Sequence, residues 1–198
     1  MQWIHNPVTH QDFAFSVDDA LSENALKDIN LYVSQTKPER AGIKQNPSAD
    51  DDPNVIRRSD IIWISSEKTS TKRLYENVCS LGEFVNNQFF RYNIYLQETL
   101  QYSIYRGDEE GHYDWHIDAM HKGDHHLVRK ISFSIGLNDP SEYEGGNLEF
   151  FPTNDSRRIK LRKNQGVFFN SLIAHRVTPV TKGTRISLVG WIHGPEFI

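Results

Sequence analysis

Residues 130–170 read KISFSIGLNDPSEYEGGNLEFFPTNDSRRIKLRKNQGVFFN, and this stretch decides the fold. It falls into the short runs KISFSIGLN, NLEFFP, RRIKLR and GVFFN, divided by Gly, Pro, Asn and Asp. Runs of this length, rich in β-branched and aromatic residues and punctuated by turn formers, are strands. The same texture extends outward to LQYSIYR (100–106), HRVTPV (175–180) and RISLVGWIH (185–193). Further toward the N-terminus it changes. Residues 18–35 place Leu21, Ala25, Ile29 and Val33 on one stripe, and residues 71–90 do the same with Leu74, Val78, Leu81, Val85 and Phe89. That spacing predicts two amphipathic helices padding one face of a sheet, with Thr71 as an N-cap. Between them, DIIWIS (60–65) reads as a strand and residues 37–58 as a long loop with three prolines and three consecutive acids. Many short strands behind two helices predict a mainly β chain, best fitted by a jelly roll with flanking N-terminal helices.

A chain of 198 residues is expected to form one domain. Residues 1–93 would supply the helices, the loop and a supporting strand, and residues 94–198 the jelly-roll core. The net charge of −4 gives no broad basic footprint, which argues against nucleic acid as a partner. Cys79 is the single cysteine, so an internal disulfide and thiolate-rich zinc sites are excluded; within a helix it reads as a small hydrophobe. The opening MQWIHNPVTHQDFAF lacks a basic start followed by an apolar run, and no window approaches the roughly 20 apolar residues of a membrane span. The expectation is a cytoplasmic protein without a membrane partner.

The chemistry concentrates in GHYDWHIDAM, which contains His116-x-Asp118. In a strand, residues two apart share a face, so imidazole and carboxylate can converge on one ion. His175, opening a later β-type run, is the candidate third ligand. Two His and one carboxylate on one side of a metal leave positions open for other ligands, a set suited to non-haem Fe(II). Ten residues on, Arg185 and Ser187 share a strand face. A guanidinium is a rigid fork that stays charged when buried and matches a carboxylate. Each element also has a bland reading, a surface pair or a solvated strand arginine; the combination carries the argument.

The order Tyr105-x-Gly107, Gly111-x-Tyr113-x-x-His116-x-Asp118, Gly145-Gly146-x-Leu148, Gly166, His175-x-Val177, Arg185-x-Ser187 and Trp191 resembles the prolyl 4-hydroxylase-type branch of the Fe(II)/2-oxoglutarate oxygenases, and is similar to the bacterial PKHD-type hydroxylases. Arg57-Arg58-Ser59 before DIIWI resembles the lead-in strand of bacterial hydroxylases in that branch. The resemblance implies a double-stranded β-helix. It implies His116, Asp118 and His175 as iron ligands and Arg185 as anchor of the distal carboxylate of 2-oxoglutarate. Ser187 would assist or line that pocket, Tyr105 would face the co-substrate with Tyr102 as its rival, Trp191 would close the pocket as an apolar wall, and Tyr113 would pack at its mouth. Gly145-Gly146 would turn tightly where a side chain would obstruct. The implied reactants are Fe(II), 2-oxoglutarate and O2, with ascorbate as a further cofactor. The implied reaction hydroxylates an unactivated C–H bond with release of succinate and CO2. The implied partner is a proline-containing peptide or protein; a small molecule such as a free amino acid, and a non-catalytic binding module, are the alternatives.

Two features depart from the pattern. Several relatives hold the co-substrate with a tyrosine or threonine from the strand after H-x-D, whereas here Ser132, Ser134 and Gly136 share that face. The stretch MHKGDHH (120–126) adds histidines beside the motif. It reads as a solvated loop at the barrel mouth, a substrate contact, or a zinc set of His121, Asp124 and His125. Asp114-x-His116 is a second possible ligand pair. A lid over the site is expected, with loop 37–58 the first candidate and the His-rich loop the second.

Overall fold

The computed structural model of the chain describes residues 13–41, 56–119, 127–152 and 157–196. Strands β1 (Ala14–Val17), β2 (Glu39–Arg40), β3 (Arg57–Arg58), β4 (Asp60–Ile64), β5 (Leu96–Gln97), β6 (Leu100–Arg106), β7 (His112–His116), β8 (Leu127–Gly136), β9 (Tyr143–Gly145), β10 (Leu148–Phe150), β11 (Arg158–Ile159), β12 (Gly166–Asn170), β13 (His175–Val177) and β14 (Val180–Pro195) are joined by two α-helices, α1 (Glu23–Ser34) and α2 (Lys72–Val85). They form a nine-stranded sheet in the order β1-β12-β8-β14-β6-β4-β2, with β5 and β9 also on β14, and a five-stranded sheet in the order β11-β10-β13-β7-β3. The expected strands at 100–106 and 166–170 are observed with those bounds.

Alternation divides the large sheet into two unlike faces. Ile131, Phe133 and Ile135 of β8, with Leu188 and Ile192 of β14, point to the helices and meet Ala25, Ile29, Leu74, Val78 and Val85 in one core. The next residues along the same strands, Ser132, Ser134, Arg185 and Ser187, face the small sheet and are buried. Gln101 and Ser103 of β6 share that face through their register with Val189 and Ser187. A second apolar cluster between the sheets is built from Tyr105, Leu148, Phe150, Val167, Phe169 and Val177. Burying polar side chains costs free energy unless they find partners, and here Gln101 meets Ser103 at 2.6 Å, Ser132 meets Ser171 at 2.8 Å and Arg185 meets Ser187 at 2.9 Å.

Both helices follow the expected stripes, with corrections at their ends. Helix α1 starts at Glu23, not at Asp18, because Ser22 caps it: Ser22 Oγ accepts from Ala25 N at 3.3 Å. Thr71 does not cap α2 with its side chain. Its hydroxyl donates instead to the carbonyls of Ser65 (2.6 Å) and Lys68 (2.9 Å), closing a 3-10 turn before the helix. After Val85 the chain widens into a π turn, Asn86–Phe90, which stops at Arg91 with φ 56°. Cys79 lies within α2 but is exposed, so it does not serve as a core hydrophobe. Strand β1, pairing with β12, was not among the expected runs.

Candidate active site

The site forms where β7 and β13 pair. His116 ends β7, His175 opens β13, and the two are direct cross-strand partners. Each ring is fixed by its own backbone. His116 Nδ1 donates to the carbonyl of Asp114 at 2.7 Å, and His175 Nδ1 donates to that of Ile173 at 3.0 Å. That fixes the tautomer and turns both Nε2 atoms toward one point. The Asp118 carboxylate completes the set, with Oδ2 at 3.4 Å from His175 Nε2 and Oδ1 at 3.8 Å from His116 Nε2. The three donor atoms lie within 4.8 Å of one another, and no other such group of His, Cys, Asp or Glu occurs among the described residues.

Asp118 reaches this point by a different route from the one expected. The strand ends at His116, so two-residue alternation does not place the carboxylate. The backbone N–H groups of Asp118 and Ala119 both donate to the carbonyl of Ser171, each at 3.0 Å, and that clasp turns the chain inward. Alternation also fails earlier in β7. His175 pairs with His116 but Val177 pairs with Tyr113, so three residues of β7 span two of β13. The bulge brings the Tyr113 ring onto the His116 face, stacked at 3.6 Å. The rival ligand Asp114 is exposed, and its carboxylate accepts from Trp115 N. The stretch 120–126, with the alternative zinc set, lies outside the described residues, as does most of the loop 37–58.

The surroundings keep His116 and Asp118 in the protonation states a metal requires. Burial, reinforced by the neighbouring His175, pushes the His116 imidazole down to about 3. Burial pushes the Asp118 carboxyl up, but His175 and His116 outweigh it and hold it below the usual carboxylate range. A neutral His116 imidazole and an ionised Asp118 carboxylate need to shed no proton before binding a cation. Two imidazole nitrogens and one carboxylate oxygen converging on one point fit non-haem Fe(II).

Arg185 enters from β14 and is 2% exposed. Its Nη1 donates to Ser187 Oγ at 2.9 Å, and its guanidinium carbon lies 5.3 Å from the centre of the Tyr105 ring. Tyr105 is its register partner on β6, whereas Tyr102 pairs with Leu188 and packs toward the helices. Parity therefore puts Tyr105, and not Tyr102, beside Arg185. Gly145 and Gly146 have φ of +72° and +62°, and a Cβ on Gly146 would stand 2.9 Å from Arg185 Cδ. Only glycine leaves room there for the arginine stem. Trp191 is buried but is not a plain apolar wall. The Arg129 guanidinium lies 3.9 Å from its ring centre, and Glu98 holds that guanidinium through Nε (2.8 Å) and Nη2 (3.0 Å). His193, given no role from the sequence, is buried with Nε2 at 3.4 Å from Glu98. Ser171, which clasps Asp118 and meets Ser132 Oγ at 2.8 Å, had no sequence signal at all.

Residues 100–193 match the 2OG-Fe(II) oxygenase superfamily. Over this segment the chain is similar to 2OG-Fe(II) oxygenase domains. The superfamily uses Fe(II), 2-oxoglutarate and O2, and the donor set of His116, Asp118 and His175 suits them. The chain is 43% identical over 82 residues to a PKHD-type hydroxylase of Hyphomonas neptunium, covering 40% of this chain and 37% of that protein. It is 26% identical over 187 residues to a PKHD-type hydroxylase of Acidovorax ebreus, covering 89% of this chain and 76% of that one. With the Hyphomonas protein and with a PKHD-type hydroxylase of Gloeothece citriformis, the match thus spans little more than a third of the relative's length. The chain is similar in fold to a Pseudomonas putida prolyl-4-hydroxylase, with a TM-score of 0.66 at 19% identity, covering 93% of this chain and 94% of that one. A prolyl hydroxylase of Trichoplax adhaerens, in complex with a hypoxia inducible factor peptide fragment, gives 0.67 at 22% identity, covering 91% and 83%. These likenesses establish the jelly-roll fold.

Proposed function

We propose that the chain is an Fe(II)/2-oxoglutarate-dependent hydroxylase acting on an unactivated C–H bond of a prolyl residue in a peptide or protein. One observation carries the reading. Three metal-competent donors converge on one point, and Arg185, on the face of the large sheet turned to the small one, is buried and meets no carboxylate among the described residues. His116, Asp118 and His175 would hold the iron and Arg185 the distal carboxylate of 2-oxoglutarate. When bound, the pair supplies O2 activation coupled to loss of CO2 and formation of succinate. The chain's own work is positional. The backbone carbonyls of Asp114 and Ile173 hold both imidazoles, and the Ser171 clasp sets the Asp118 carboxylate. Ser187 and Gly146 aim Arg185, with Tyr105 beside it and Trp191 walling the pocket. Residues 1–93 would then work with 94–198 as one unit, the helices backing the large sheet. A prolyl substrate is supported by the kinds of protein the chain resembles in fold and sequence. Among the described residues no helix is long and apolar enough to cross a membrane.

The test is succinate formation by the purified chain with Fe(II), 2-oxoglutarate and O2, beside His116→Ala and Arg185→Ala. Succinate that vanishes in both variants is the expected outcome, and a proline-containing peptide panel should show a mass gain of one oxygen. A panel that stays unmodified while a small molecule gains the oxygen would overturn the prolyl assignment.

A further inference from the structure

The arginines near the two sheets are mostly paired with acids. Arg40 and Arg106 share Asp60, Arg158 and Arg176 share Glu149, and Arg129 is held by Glu98. Among the described residues two arginines are less than a tenth exposed, Arg185 at 2% and Arg57 at 8%, and neither meets a carboxylate. Arg185 has a use in the functional reading above. Arg57 has none.

Its position is nonetheless specific. Strand β3 pairs with β7 so that Arg57 lies opposite Tyr113. The guanidinium carbon stands 4.5 Å from the Tyr113 ring centre, and that ring is stacked on the iron-ligand candidate His116. Nε donates to Ser59 Oγ at 2.9 Å, while Nη2 is buried without a hydrogen-bond partner. The neighbouring Arg58 instead donates to the carbonyl of Glu109. A buried guanidinium is costly until its charge and its N–H groups are both met. A carbonyl would satisfy the N–H and leave the charge; a carboxylate satisfies both and matches the fork of the group.

We propose that Arg57 anchors a carboxylate carried by the prime substrate, so that the site selects an acidic prolyl compound over a neutral one. The inference rests on the reading that Arg185 takes 2-oxoglutarate. The carboxylate has two sources: the α-carboxylate of a terminal proline, or an acidic side chain next to an internal one.

The test measures binding heats on the full chain, loaded anaerobically with Fe(II) and 2-oxoglutarate. One arm compares N-acetylproline with N-acetylprolinamide. The other compares capped tetrapeptides containing Pro-Glu with their Pro-Gln counterparts. A preference of about tenfold or more for the acidic member of one pair is expected, the size of a charge-assisted hydrogen bond. The arm that shows it identifies the source. The preference should disappear in both Arg57→Gln and Arg57→Met, with 2-oxoglutarate affinity unchanged as the check that each variant is folded. Equal binding within both pairs by the wild-type chain overturns the inference. So does a preference that survives both Arg57 variants. Failure of Fe(II) and 2-oxoglutarate to bind at all would overturn the functional reading and the inference together, whereas intact loading with no acidic preference overturns the inference alone.

Discussion

At φ +62°, Gly146 supports Arg185 by having no side chain. A methyl there would lie 2.9 Å from both Arg185 Cδ and Val180 Cγ2, in a backbone region that costs an L-residue about 1–2 kcal/mol. Gly146→Ala is therefore expected to move the guanidinium and weaken 2-oxoglutarate binding by about tenfold, the equivalent of about 1.4 kcal/mol. Metal affinity should stay within about twofold of wild type, because none of the three donors touches Gly146. Parallel titrations of metal and of 2-oxoglutarate check this; equal loss of both would mean that the turn supports the whole site rather than the arginine. At this scale the sequence was legible where spacing alone sufficed. Arg185 and Ser187 share a face by strand parity, as the spacing predicts, and the register makes His116 and His175 direct partners. It was not legible where the chain leaves a strand. The clasp of Asp118 on Ser171 joins backbone groups distant in sequence, and backbone N–H groups have no residue code. Arg57 was visible only as part of a familiar lead-in, since burial, which gives it meaning, is a property of the folded sheet.

The small sheet is tied across its outer face by one carboxylate. Glu149 on β10 accepts from Arg158 Nε on β11 at 2.6 Å and from Arg176 Nε on β13 at 2.8 Å, and both arginines are its register partners. Burial pushes the Glu149 carboxyl up, but Arg176 and Arg158 outweigh it and hold it below the usual glutamate range. A folded value below the unfolded one means stability that is present above the unfolded value and lost as pH falls through the folded one. Glu149→Gln should cost about 1–3 kcal/mol near neutral pH, a range kept low because Arg158 is half exposed. Acid unfolding followed by circular dichroism should be steeper in wild type than in the variant below about pH 5. Curves that remain parallel would leave the clamp without a pH-linked role. No periodicity reveals such a clamp, because Glu149 sits in NLEFFP at an outward position that alternation assigns to solvent. Strands rich in aromatic and β-branched residues, such as LQYSIYR and GVFFN, were legible for the opposite reason: their side chains report directly on a half-buried pleat. Strand β1 was missed because its pairing with β12 depends on a partner about 150 residues away.

Across the whole molecule, stability and ligand response should separate, because the two faces of the large sheet are built differently. The helix-side core is apolar and needs no ligand. The face toward the small sheet is lined by buried Gln101, Ser103, Ser132, Ser134, Arg185 and Ser187, so ligands that bind there bridge the two sheets. A ligand at a hundred times its Kd adds about 2.7 kcal/mol to the folded state. Anaerobic Fe(II) should raise Tm, 2-oxoglutarate should raise it again, and a chelator should reverse both increments. Arg185→Gln should keep the metal increment and lose the second. His116→Ala should lose both, since the keto-acid end of 2-oxoglutarate would be held through the metal. Leu74→Ala, in contrast, opens a cavity in the helix-side core and should lower baseline stability by about 2–5 kcal/mol while leaving both increments in place. Thermal melts of the four proteins with and without ligands separate these cases. If Leu74→Ala abolished the ligand increments, the helices would belong to the binding site as much as to the scaffold, and the division of labour between the two faces of the sheet would not hold.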